Sequence, residues 1–149
     1  MADYVSGAIE LLIALQTPSP KGYRGVPALV WGAPGTGKST FIESLAQEQF
    51  PVITLIASLH DPTDFNGLPV LVDGRVRFAP PEWVHEFEQS GQGILFQDEL
   101  TTAPPTVLAA LHRRELERKV GLNALASLVR SVAGSNQRDL AGSFSVFRR

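Results

Sequence analysis

The segment Gly32-Ala33-Pro34-Gly35-Thr36-Gly37-Lys38-Ser39 fits the pattern G-x-x-x-x-G-K-[ST], and its surroundings narrow the folds open to the chain. Before it runs Val26-Pro27-Ala28-Leu29-Val30-Trp31, an apolar stretch whose only proline lies near the start, where a strand tolerates a missing donor. After it, Phe41, Ile42, Leu45 and Ala46 recur at helical spacing. Strand, glycine loop and helix in that order suit a phosphate cradle. Glycines let successive N–H groups turn inward, and the helix start adds unpaired N–H groups and the positive end of its dipole. Lys38 is expected to reach the β- and γ-phosphates and the Ser39 hydroxyl to ligate Mg²⁺. Gly32, Ala33, Pro34, Gly35, Thr36, Gly37 and Thr40 complete the expected contacts. An ordinary glycine-rich connection is the competing reading, and the flanking periodicities favour the cradle.

At 149 residues the chain reads as a single domain over 1–149, long enough for a core of its own. A formal net charge of −2 gives no general drive toward nucleic acid or an anionic membrane, so neither is expected as a partner. The lack of cysteine excludes disulfides, thiolate metal sites and a cysteine nucleophile. Asp3 and Glu10, with no early Lys or Arg, do not fit a signal peptide, and no apolar run approaches a membrane span; a cytoplasmic location is expected.

Val5, Ala8, Ile9, Leu12 and Ile13 share one helical face, which the periodicity assigns to the core. The helix after the glycine loop is expected to reach about Gln49, where Pro51 breaks it. Val52 to Leu59 reads as a second strand, apolar enough for the interior of a parallel sheet. Two short β-like runs then flank Asp73-Gly74, a pair suited to a two-residue hairpin turn. Pro80-Pro81-Glu82 opens a helix through about Gln89.

Gly93-Ile94-Leu95-Phe96-Gln97-Asp98-Glu99 is an apolar strand that runs into two carboxylates. In open α/β sheets the C-terminal ends of strands are where ligands bind. Asp98 is placed to hold Mg²⁺, and Glu99 to orient and deprotonate a water that attacks the γ-phosphate. Leu128 to Asn136 is the last β-like stretch with a polar end, and Asn136 at its tip is placed to hydrogen-bond that water or the phosphate. Asn136-Gln137-Arg138-Asp139 also suits a plain turn.

These elements resemble the AAA+ ATPases, most closely the MoxR-type branch. Residues 31–39 match Walker A, Ile94 to Glu99 Walker B, and Asn136 the sensor-1 position. Asp61-Pro62-Thr63-Asp64-Phe65-Asn66-Gly67-Leu68-Pro69 is similar to the family segment that opens a hairpin insertion, and Thr101-Thr102-Ala103-Pro104-Pro105 to the stretch after Walker B. The resemblance covers about residues 5–136. It implies an α/β P-loop NTPase core of three layers, α/β/α, with a mainly parallel sheet and a β-hairpin insertion after the second strand. It further implies ATP and Mg²⁺ as ligands, assembly into a homo-oligomeric ring, a hexamer in intact relatives, and chaperone-like remodelling of a client protein, often alongside a partner with a von Willebrand A domain. Thirteen residues follow Asn136, fewer than a fifth strand and the family's helical lid need, so the lid and the arginine finger are expected to be lacking. Such a finger is worth about 10³ to 10⁵ in rate. Residues 143–149 suit an edge strand or a tail, with Arg148 and Arg149 solvated. A hydrolysis-deficient module that joins an assembly is therefore the alternative function, and a P-loop small-molecule kinase a third.

His112-Arg113-Arg114 and Arg118-Lys119, interleaved with Glu115 and Glu117, read as a solvated or subunit-facing helix face, with Arg114 repelling Arg118 and Glu115 attracting Lys119. The Tyr23-Arg24 loop is the expected place for contacts to the base.

Overall fold

The computed structural model describes residues 2–46, 50–120, 123–136 and 145–148. Along the chain run α1 (Ala2–Gln16), β1 (Ala28–Trp31), α2 (Lys38–Ala46), β2 (Val52–Ile56), α3 (Pro62–Asn66), β3 (Leu68–Val72), β4 (Arg75–Ala79), α4 (Glu82–Ser90), β5 (Gln92–Asp98), α5 (Pro105–Glu117), β6 (Lys119–Val120), β7 (Asn123–Ala124), β8 (Leu128–Ser135) and β9 (Ser145–Arg148). Strands β2, β5, β8 and β1 lie side by side in that order and run parallel, and β9 pairs antiparallel with β1.

An interior parallel strand is covered on both faces and must be apolar throughout. Strand β5 meets that demand, with residues 93–97 all buried. Alternation sends Ile94 and Phe96 to one face, where Val132 and Val30 join them beneath Leu11, Ala14 and Leu15 of α1 and Ile42 of α2. Leu95 points the other way, with Val129, against Val84 and Phe87 of α4 and Val107, Ala110 and Leu111 of α5. Two cores on one sheet make the α/β/α layering expected from the sequence. Each such side chain contributes about 1.5–3 kcal/mol on burial, which fixes the strand ends that carry the polar groups.

The hairpin falls where the sequence places it. Strands β3 and β4 pair from Leu68↔Ala79 to Val72↔Arg75, and Asp73 (φ 50°) and Gly74 (φ 70°) make the left-handed two-residue turn. Leu68, Leu71, Val76 and Phe78 remain exposed on it.

Three expectations need correction. The stripe of α1 that meets the sheet is Leu11, Ala14 and Leu15, while Ile9, Leu12 and Ile13 are exposed. This helix is apolar at helical spacing on two adjacent stripes, so periodicity alone had two solutions and packing chose the other one. The second strand stops at Ile56, because residues 57–59 turn: after a last bond from Ala57 N–H to Asp98 O of β5 at 2.9 Å, Leu59 N–H closes on Ile56 O at 3.0 Å. Arg114 and Arg118 are buried, not solvated, and Glu115 pairs with Arg114 instead of Lys119. His112, Arg113 and Glu117 do face solvent. The expected extension of α2 over residues 47–49, the turn residues 137–139 and Arg149 lie outside the described residues. The final stretch forms the edge strand β9.

Candidate functional site

The C-terminal ends of β1, β5 and β8 lie at one edge of the sheet, and the chain's chemically distinctive side chains gather there. Residues 32–37 leave β1, with Gly35 (φ 76°) and Gly37 (φ 78°) in backbone regions that side chains disfavour. The loop is tied inward: Gly32 N–H donates to Ser135 O at 3.2 Å, and Thr36 Oγ1 to Ala33 O at 2.8 Å. Among the described residues no acceptor lies on the N–H groups of Gly35, Gly37, Lys38 or Ser39, the arrangement an anion requires at a helix start. Thr40, one residue on, is exposed in the first turn of α2.

Lys38 is only 6% exposed. Its Nζ donates to Gly32 O at 3.0 Å, Ala33 O at 3.2 Å and Asn136 Oδ1 at 2.8 Å. Ser39 Oγ lies 3.4 Å from Asp98 Oδ2, so a hydroxyl and a carboxylate present two hard oxygens side by side. Oxygen ligands of that kind suit Mg²⁺. Strand β8 leaves room for Asp98 only because residue 134 is glycine. A Cβ there would sit 2.7 Å from Asp98 Oδ1 and 2.8 Å from Phe96 Cζ.

Glu99 sits in the left-handed region (φ 57°, ψ 38°), where its N–H donates to Asp98 Oδ1 at 2.8 Å. Its Oε2 accepts from Ser58 Oγ at 2.6 Å. Ser58 belongs to the turn after β2, beside β5, and sequence reasoning missed it. A lone serine after a strand carries no signal; only the parallel pairing of Ile56 with Asp98 brings it to Glu99.

The structure thus brings Lys38, Ser39, Asp98, Glu99 and Asn136 to one edge, and it leaves the Tyr23-Arg24 loop elsewhere. Arg24 N–H bonds Ser127 O at the start of β8, and the Tyr23 ring lies 4.8 Å beneath the Arg118 guanidinium. That loop borders the opposite edge of the sheet, so base contacts from it are not supported. Beneath α5 lies a separate polar cluster. Glu115 Oε1 accepts from Arg114, Ser131 and Gln97, while Arg114 Nε and Nη1 and Glu115 Oε2 have no partner among the described residues. Burial pushes the Glu115 carboxyl up, and the Arg114 charge with hydrogen bonds from Ser131, Arg114 and Gln97 outweighs it, leaving the group below its usual 4.5.

Parallel sheet, covering helices and glycine loop together define a P-loop NTPase-like α/β core. A crystal structure from Cytophaga hutchinsonii, of a protein described as a "putative ATPase", shares this fold at 19% identity with a TM-score of 0.53. The likeness covers 94% of this chain and 40% of that one, so the chain spans about two fifths of that protein's length. At such identity the likeness concerns the fold alone. No protein-family profile matches the chain, and no curated protein sequence does. Among the described residues no helix is long and apolar enough to cross a membrane.

Proposed function

We propose that this chain is the nucleotide-binding core of an AAA+ ATPase of the MoxR type, with Mg-ATP as its ligand. One observation carries the reading: residues far apart in sequence, Lys38 with Asn136 at 2.8 Å and Ser39 with Asp98 at 3.4 Å, converge around the N–H groups of Gly35, Gly37, Lys38 and Ser39, which have no acceptor among the described residues. In this reading residues 32–37 and the start of α2 hold the phosphates, Lys38 neutralises their charge, and Ser39 and Asp98 hold Mg²⁺. The ion would draw charge from the phosphate oxygens. Glu99 accepts a proton from water as its oxygen attacks the γ-phosphorus; the bond to the β–γ bridging oxygen breaks, giving ADP and phosphate. Ring assembly, a client protein, a von Willebrand A-domain partner and a cytoplasmic location belong to the same proposal and rest on the sequence resemblance.

The test is calorimetric titration with Mg-ATP. Lys38→Ala is expected to weaken binding about tenfold to a hundredfold, the loss of one or more charge-assisted hydrogen bonds. Glu99→Gln should bind as the parent does and lose turnover. Unchanged binding in Lys38→Ala would overturn the cradle, and turnover that survives in Glu99→Gln would remove Glu99 from the chemistry.

A further inference from the structure

The Lys38 ammonium has three protons, and each already has an acceptor: Gly32 O, Ala33 O and Asn136 Oδ1. A phosphate oxygen can take one of those protons only if an acceptor gives way. The two carbonyls are poorly placed to do so. Gly32 is pinned to Ser135 O through its N–H, and Ala33 O also accepts from Thr36 Oγ1 at 2.8 Å and Thr36 N–H at 3.3 Å. Asn136 differs from both. It follows the last residue of β8, is half-buried, and meets Lys38 through a side chain that turns about two bonds. Because an ammonium only donates, the amide must present Oδ1 to it, which fixes the amide's orientation. Its Nδ2 then points away from Lys38 and has no partner among the described residues.

We propose that Asn136 is a competitor for Lys38: it occupies the ammonium with its carbonyl and must release it before phosphate binds there, its free Nδ2 being the end able to donate to phosphate oxygen afterwards. One amide thereby serves two states, an acceptor for Lys38 in the first and a donor to the anion in the second. This rests on the reading of residues 32–39 as a nucleotide cradle. It goes beyond that reading because it makes Asn136 a brake on affinity as well as a ligand. Binding is reduced by the fraction of molecules in which Lys38 is engaged, and a variant without the carbonyl escapes that reduction.

Mg-ADP is the probe, since a diphosphate reaches Lys38 without involving a γ-phosphate. In titration calorimetry Asn136→Ala should bind Mg-ADP about threefold to tenfold more tightly than the parent, and Asn136→Asp, which gives Lys38 a carboxylate, at least tenfold more weakly. Asn136→Ser, too short to span the contact, should behave as the alanine variant does and serves if the latter fails to fold, as judged by its melting without nucleotide. A gain in affinity is not an effect that structural damage produces. Unchanged or weaker Mg-ADP binding in a folded Asn136→Ala or Asn136→Ser protein would overturn the proposal. Lys38→Ala run alongside separates the two failures: if it binds Mg-ADP as the parent does, the cradle itself is wrong, whereas if it loses binding and Asn136→Ala shows no gain, only the competition is wrong.

Discussion

Lys38 and Arg114 are buried cations on opposite faces of one sheet, 6% and 1% exposed, and strand β8 serves both. Asn136 just past its end accepts from Lys38, while Ser131 within it accepts from Arg114. The outcomes differ. Every proton of Lys38 has an acceptor, from groups at an open edge that can be exchanged for a ligand. Arg114 is sealed between α5 and the sheet with two nitrogens that have no partner among the described residues, and it leans on a single carboxylate, Glu115. A charge at an open edge is kept saturated by acceptors that can be exchanged, whereas a charge inside the core is held by one strong partner at the cost of unmet hydrogen bonds.

The strongest way to break this contrast is Arg114→Leu. It takes from Glu115, whose side chain is 24% exposed, its ion-pair partner and should cost about 3 kcal/mol in urea unfolding, with nucleotide affinity retained in the folded fraction. A loss below about 1 kcal/mol would show that the cluster is hydrated like a surface pair. Gly134→Ala comes next and acts on the other face. Its Cβ would crowd Asp98 Oδ1 at 2.7 Å and Phe96 Cζ at 2.8 Å, so about 1–3 kcal/mol of stability and much of the Mg²⁺ dependence of nucleotide binding should go together. Stability lost with Mg²⁺ dependence intact would detach Asp98 from the cradle.

A pH series gives a smaller signal. The Glu115 carboxyl titrates lower folded than unfolded, so its contribution is complete above the usual 4.5 and is lost as pH falls through the folded value. The stability gap between the parent and Glu115→Gln should therefore narrow below about pH 4.5 and stay constant above it, as followed by thermal melts. A gap independent of pH would mean that Glu115 keeps its proton affinity on folding. The smallest effect belongs to Arg113→Ala. Arg113 neighbours Arg114 on α5, but its pair with Glu117 is exposed, at 70% and 47%, and should contribute no more than about 0.5 kcal/mol.

These neighbours also explain what the sequence could and could not convey. The glycine loop between β1 and α2 is written in eight consecutive residues and β5 in a continuous apolar run, so both were legible locally, as was the Asp73-Gly74 turn. Helical spacing puts Arg113 and Arg114 one position apart, about 100° around the axis, and nothing in the spacing says which of them the sheet will cover. The same ambiguity turned α1, whose two apolar stripes were equivalent until one met β1. Ser58 and the sharing of Lys38 with Asn136 depend on strand order, which no local pattern encodes.

Strand order also sets a timetable. The strand that leads into the glycine loop finds its parallel neighbour only in β8, Ala28 against Val132. Contacts of such sequence separation form late and slowly. On a ribosome adding about 5–20 residues per second, the glycine loop waits on the order of 5–20 seconds for Asn136 to be made. During that interval β1 has none of its sheet partners, so a nascent chain offers its nucleotide motif long before it has the scaffold to hold it in shape.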